Sequence, residues 1–379
     1  MANYTFRPED IEPLLEGMAI LGTGGGGAPE WGRAILNQDL ELGRIPKVVD
    51  LDQIPDDSTV VCGGIMGSVK VLETMGTDKV MARWEERFEL LEVTRIMEDI
   101  LGKKISYAVP FEIGGLNTPV ILTLGARMGI DIIDGDGLGR SAPETQMTSF
   151  IGHGVQLTPM PLIDFNGNVV IVKEAADSTY PDQVGRFVVT HGGGLGANNH
   201  YPMTGAQAKT AIIPNTISKA LLLGRELLDA RNSGDDPVLR LTEHLGGVLL
   251  HIGEISAMRE EESMGFYFTT VSLSGRANFS RIEAELIIKN ETMMLTVGGE
   301  VKAYFPDLIL LIEPGTGRGI MSVELKVGMP IALIGLPCHP RLREAAESQE
   351  GKIAFSPARY GQIDAVYTPI ETLVPELGG

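Results

Sequence analysis

The stretch "KISYAVPFEIGGLNTPVILTLGARMGIDIIDGDG", Lys104 to Gly137, decides the fold. Its opening "KISYAVP" is a short apolar run that reads as a strand, "NTPVILTLGARMG" has the length and spacing of a helix, and "IDIIDGDG" reads as a second strand running into a loop. Working upstream, "KVVDL" and "STVVCGG" read as two further strands, followed by "DKVMARWEERFELLEVTRIMEDILG" as one long helix. Strands alternating with helices predict an α/β domain with a mostly parallel sheet flanked by helices. In such sheets the loops beyond the strands' carboxyl ends hold the ligand.

Beyond about residue 160 the texture changes. "NVVIVKEA" reads as a strand, "QVGRFVVTHGGGLGANNHYPMTG" as a glycine-rich loop region and "NTISKALLLGRELLDARNSG" as an amphipathic helix. From Gly246 onward short β-runs are parted by Gly, Asn and Pro, the pattern of a small antiparallel barrel or sandwich. The expected division is an α/β domain over 1–164, completed by 346–379. A β-rich domain over 165–345 opens with a long helix at about 214–232 and packs that helix on the first domain.

A chain of 379 residues exceeds the usual single-core size, in keeping with two domains. The net charge of −19, with no basic run to offset it locally, argues against nucleic acid and for a small-molecule ligand. Two cysteines, Cys62 and Cys338, are too few for a disulfide framework, and with no signal pattern and no long apolar run the expectation is a cytoplasmic protein away from membranes. The many apolar β-segments point to a homo-oligomer.

The ligand-binding candidates lie in glycine-rich loops. "LGTGGGG", Leu21 to Gly27, places five glycines in six positions between two predicted helices, so Thr23, Gly24, Gly25, Gly26 and Gly27 become candidates for a backbone cradle. Consecutive glycines let N–H groups converge, and the following helix N-terminus adds partial positive charge. The loop satisfies GxGxxG formally, but a helix precedes it where a dinucleotide site needs a strand, and no GK[ST] follows. "CGGIMGS", Cys62 to Ser68, puts Gly64 directly after a strand, and "PFEIGGLNTP" puts Glu112 in a loop of the same layer.

"DIIDGDGLGRSAPETQMT" is the richest cluster, gathering Asp134, Asp136, Arg140 and Glu144 beyond one strand. Neighbouring carboxylates raise one another's pKa and suit general-base work, with Glu144 or Asp136 as base and Arg140 as anion anchor. His191 and His200 flank "GGGLGANN", with His191 as a secondary acid/base candidate, and "HYPMTGAQAKTA" adds Thr204 as a substrate contact. No HxH or HExxH spacing exists, so no metal ligands are assigned; the favoured reading needs no cofactor and leaves room for a divalent metal.

Taken in order, "LGTGGGG", "GGIMGS", "FEIGGLN", "DGDGLGRSAPETQM", "YPMTGAQ" and "GLPCHP" resemble the motifs of the S-methyl thiohydantoin desulfurase family over nearly the full chain. The resemblance implies a two-domain enzyme and an S-methylated thiohydantoin substrate carrying a carboxylate side chain. The expected reaction is hydrolytic release of methanethiol to leave a hydantoin. A hydantoinase- or oxoprolinase-like cyclic amide hydrolase and a non-catalytic nucleotide- or metabolite-binding subunit are the alternatives.

Overall fold

A computed structural model of the chain describes residues 4–67, 69–263 and 266–378. Its first layer is an eight-stranded mixed sheet built from β1 (Tyr4–Thr5), β2 (Lys47–Val49), β3 (Thr59–Gly67), β4 (Tyr107–Pro110), β5 (Asp131–Ile133), β7 (Met160–Asp164), β8 (Val169–Val172) and β9 (Leu195–Thr204). A two-stranded ladder of β6 (Gly135–Asp136) and β10 (Ile213–Pro214) lies beside it. The sheet order is β1-β2-β5-β4-β3-β9-β7-β8. Strands β2, β5, β4 and β3 pair in parallel, whereas β9, β7 and β8 continue the sheet in antiparallel fashion.

The parallel half is the strand–helix alternation of the sequence, with the helix Asn117–Met128 crossing from β4 to β5. The antiparallel half is not. Residues read as a glycine-rich loop form the helix Tyr180–His191 and then β9, a buried central strand between β3 and β7. Polar side chains at Asn198, Asn199 and His200 hide that strand from a reading based on apolar runs. The sheet therefore draws two strands, β8 and β9, from beyond residue 164.

The long helix expected from Asp78 to Gly102 is two helices, Thr77–Glu86 and Glu89–Leu101. Arg87 adopts an extended conformation between them. The break turns Phe88 into the core edge-on to Trp84, with ring centroids 5.3 Å apart. Further along, the helix Thr216–Ser233 runs antiparallel to Ile11–Leu21 at backbone contact. A side chain at Gly17 would strike the carbonyl of Ala220, and one at Gly224 that of Pro13, so both positions require glycine.

The second layer is a seven-stranded antiparallel sheet of β11 (Val248–Ser263), β12 (Phe266–Gly275), β13 (Glu283–Lys289), β14 (Glu291–Val297), β15 (Glu300–Tyr304), β16 (Leu308–Ile312) and β17 (Pro330–Leu336), ordered β15-β14-β13-β12-β11-β17-β16. It curls like half a barrel around an apolar cluster that includes Ile255, Val271, Leu286, Leu295 and Leu333. The C-terminal Ile370 and Val374 pack into this cluster, so the chain's end supports the β layer as well as the first domain. A continuous apolar core joins the two layers, running from Leu14 and Met18 through Phe150 to Met293, Phe305 and Leu310. An interface built like a core holds the layers together and fixes the cleft between them.

Candidate functional site

A cleft of about 600 Å³ opens between the layers. Its floor is the β3–β9 pair, where Gly64 lies opposite Asn198 and Gly67 opposite Leu195. Its sides come from the glycine loop, the segment Ala142–Thr145, the helix Tyr180–His191 and residues of the β layer, including Phe266, Asn290 and Ser322. Size and position match a small-molecule site at the ends of parallel strands.

Glu112 is one of the acids that line the cleft. It follows β4, where the chain leaves the sheet before the helix Asn117–Met128, and it is buried. Asn117 Nδ2 donates to its Oε1 at 2.8 Å and the Ala142 amide donates to its Oε2 at 2.9 Å. Asn117 is itself fixed, because the Ile65 amide of β3 donates to its Oδ1. Burial pushes the Glu112 carboxyl up to about 7, against the pull of these two neutral donors and the Arg140 charge. A carboxyl poised near neutrality in a cleft has the properties of a general base.

The glycine loop has two tasks. Gly25 and Gly27 line the cleft, and among the described residues their N–H groups donate to no protein acceptor. Gly24 and Gly26 fasten the loop instead. Gly24 donates to the Ile320 carbonyl and accepts from the amide and hydroxyl of Ser322, while the Gly26 carbonyl accepts from Leu116. Beneath Gly25 lies the carboxyl of Glu291, in the place a side chain there would need. The expected cradle is thus reduced to Gly25 and Gly27. Thr23 points away, its hydroxyl accepting from the Leu311 amide in β16.

The acidic loop disperses rather than converging. Asp134 is buried under the helix Thr216–Ser233, where its carboxylate accepts from the Ile217 and Ser218 amides and the Ser218 hydroxyl. It caps that helix and lies outside the lining of the cleft. Asp136 is fully buried and lies off the cleft wall; burial raises it to about 8, and the Gly139 amide donates to its Oδ1 at 2.8 Å. Arg140 is spent on backbone, donating to the carbonyls of Ser141, Thr292, Pro306 and Asp307 with its guanidinium 4.5 Å over Phe305. It clamps the two layers and does not reach the cleft as an anion anchor.

Glu144 does line the cleft, yet Lys289 Nζ approaches its Oε1 at 2.5 Å, Arg359 bridges both oxygens and Gln146 donates to Oε2. Burial works to raise its pKa, but Arg359 and Lys289 together hold it below the usual carboxylate range. A carboxylate held this way is a weak base. Two other expected residues lie outside the cleft. His191 is exposed at its helix end with Nδ1 on the Phe187 carbonyl, and Thr204 is an exposed helix cap bonded to Gln207 at the far end of β9. Gly64 lies in the floor of the cleft, whereas Ser68 of the same motif lies outside the described residues.

Several lining residues escaped the sequence reading. Arg186 has its Nε on Asp182 at 2.7 Å and one Nη on the Pro143 carbonyl and Asp182; the guanidinium sits 3.9 Å over the Phe266 ring. Its other Nη has no protein partner among the described residues, which leaves a positioned cation in the cleft wall. Asn290, in the left-handed region with φ of 62°, donates from its side chain to Glu291 at 3.0 Å. Glu291 is fully buried, and its pKa is raised by burial and by the neighbouring Glu112 charge. The positive φ of Asn290 is a backbone feature that an ordinary Lys-Asn-Glu triplet does not announce.

Among the described residues, no group of three or more His, Cys, Asp or Glu side chains converges to hold a metal ion, and no helix is long and apolar enough to cross a membrane. A search of curated proteins returns no match. The fold is shared with the crystal structure of a protein from Chromobacterium violaceum, a structural genomics target, at 24% identity with a TM-score of 0.73, covering 97% of this chain and all of the other. Family models for the S-Me-THD-like N-terminal domain and the S-Me-THD-like C-terminal domain match residues 9–174 and 176–370. With both halves matched in order, the chain belongs to the S-Me-THD-like family, the S-methyl thiohydantoin desulfurase family whose motifs it carries.

Proposed function

We propose that the chain hydrolyses the C–S bond of an S-methylated thiohydantoin, with Glu112 as general base. The observation that carries the reading is the Glu112 carboxyl itself, inside a cleft of ligand size, fixed by two neutral donors and raised to about 7. In this mechanism ionised Glu112 accepts a proton from water as its oxygen attacks the ring carbon bearing sulphur. Electron density moves onto the ring, where the free Gly25 and Gly27 amides are placed to receive it. The intermediate then expels methanethiolate, which takes the proton back from Glu112. Water and the S-methyl ring become methanethiol and a hydantoin.

Arg186 takes the anchoring part first given to Arg140. Its second Nη, which has no protein partner among the described residues, suits the carboxylate of the substrate side chain, and the segment from Ala142, which donates to Glu112, to Pro143, which accepts from Arg186, ties base and anchor together. The direct test is thiol release from S-methyl thiohydantoins bearing a short carboxylate arm, followed with and without chelator. Stoichiometric methanethiol and hydantoin are expected in both. Absence of thiol release, together with thermal stabilisation by nucleotide and Mg²⁺ but not by hydantoins, would reject the reading in favour of a sensor subunit.

A further inference from the structure

His200 is held in a defined position although its ring makes no hydrogen bond among the described residues. Between the pairs Val60–Met203 and Cys62–His200 the register slips, so that Tyr201 and Pro202 together face Val61 in a β-bulge. Tyr201 accepts a φ of 49° to make it. Bulges beside a site re-aim the adjacent side chain, and a non-glycine residue at positive φ persists only where surrounding contacts hold it. Here the Tyr201 amide is tied to the Leu157 carbonyl and its hydroxyl to the Thr145 carbonyl. The His200 ring lies edge-on to Phe111 and Tyr201, with centroids 5.8 and 5.2 Å away, and borders the cleft.

The imidazole makes no hydrogen bond among the described residues, and its Nδ1 is fully buried without a partner. A buried N–H without an acceptor is rarer than a buried lone pair without a donor, so the proton belongs on Nε2. Burial lowers the His200 pKa to about 3, which keeps the ring neutral at every working pH.

We propose that His200, as a neutral imidazole, is a further catalytic residue whose Nε2–H donates to the thiohydantoin ring where charge develops during attack at the sulphur-bearing carbon. The proposal rests on the desulfurase reading for its reaction step. The donor gains most when the ring becomes negative, so its removal lowers kcat rather than raising KM. His200→Phe keeps the shape without the donor, and a loss of about 100-fold in kcat with KM nearly unchanged is expected. His200→Gln, which restores an N–H, should recover about tenfold of this.

A second readout is independent of turnover. In ¹⁵N-histidine protein, His200 should show the Nε2–H tautomer with no titration between pH 5 and 8, and its Nε2 signal should move when a hydantoin product analogue is added. Retention of kcat within twofold in His200→Phe, an Nδ1–H tautomer, or a signal indifferent to hydantoin would overturn the proposal. If wild-type protein releases no thiol, the desulfurase reading fails, while the hydantoin-induced shift still decides whether His200 contacts the ring.

Discussion

Two carboxylates on one cleft wall have opposite surroundings. Glu112 receives only neutral donors, from Asn117 and the Ala142 amide, so the desolvation of burial prevails and the group sits near 7. Glu144 is equally buried but meets Lys289 and Arg359, and two cations reverse the outcome. Burial alone therefore does not identify a base. What decides is whether the partner is neutral, which leaves the proton exchangeable near pH 7, or cationic, which stores the carboxylate as part of the scaffold.

The largest effect is expected at Glu112. Glu112→Gln keeps the size and can still accept from the Ala142 amide, but it cannot take a proton; kcat/KM for thiol release should fall by about 10²–10⁴. In the wild type, kcat/KM should rise with pH through about 7 as Glu112 ionises, and this limb should vanish in the variant. Unchanged turnover in Glu112→Gln would pass the base role to another group.

Glu144→Gln should instead damage stability. It removes the negative charge that balances Lys289, which is buried beside the Phe266 and Phe268 rings and keeps only the neutral amide oxygen and the Arg359 carbonyl as acceptors among the described residues. Breaking a buried pair from one side costs about 3–5 kcal/mol, measurable by urea unfolding. The protein that remains folded should keep kcat within a few-fold. A folded but inactive Glu144→Gln would exchange the roles of the two acids.

Stability against pH separates the same pair more gently. Folding raises the Glu112 pKa from about 4.5 to about 7, so the native state holds this proton more tightly and the contribution is fully present below pH 4.5. It is lost as pH climbs through about 7. Glu144 acts in reverse, its contribution being present above pH 4.5 and lost in more acid solution. Glu112→Gln should thus gain stability relative to wild type between pH 5 and pH 8; a pH-independent difference would contradict the assignment.

How far the sequence reveals this site depends on where each partner lies. Glu112 and Asn117 share one strand-to-helix connection, and that loop is visible as a ligand-facing position because strand and helix are regular on either side. The two cations that neutralise Glu144 come from 145 and 215 residues further along, so the acidic loop reads as a dense catalytic cluster when most of it is scaffold. Asp134 is similar, since its cap serves a helix that begins at Thr216. The strand β9 is missed for a different reason. The Asn198 and His200 side chains that line the cleft are the ones that erase its apolar signature.

The smallest effect probes why Glu112 stops near 7 instead of rising further. The Asn117 side-chain donor favours the ionised carboxylate, and it is the larger of the two hydrogen-bonding influences holding the group down. Removing it in Asn117→Ala should carry the Glu112 pKa upward, by about 0.5–1 unit if the bond contributes about 1 kcal/mol. The rising limb of kcat/KM should then move to more alkaline pH, while kcat on its high-pH plateau changes little because the base is intact once ionised. Asn117→Asp should move the limb further, since a second acid beside Glu112 disfavours its ionisation. A limb that stays in place in both variants would mean that Glu112 does not set the pH dependence, and a limb that moves to acid would mean that Asn117 acts on a different proton.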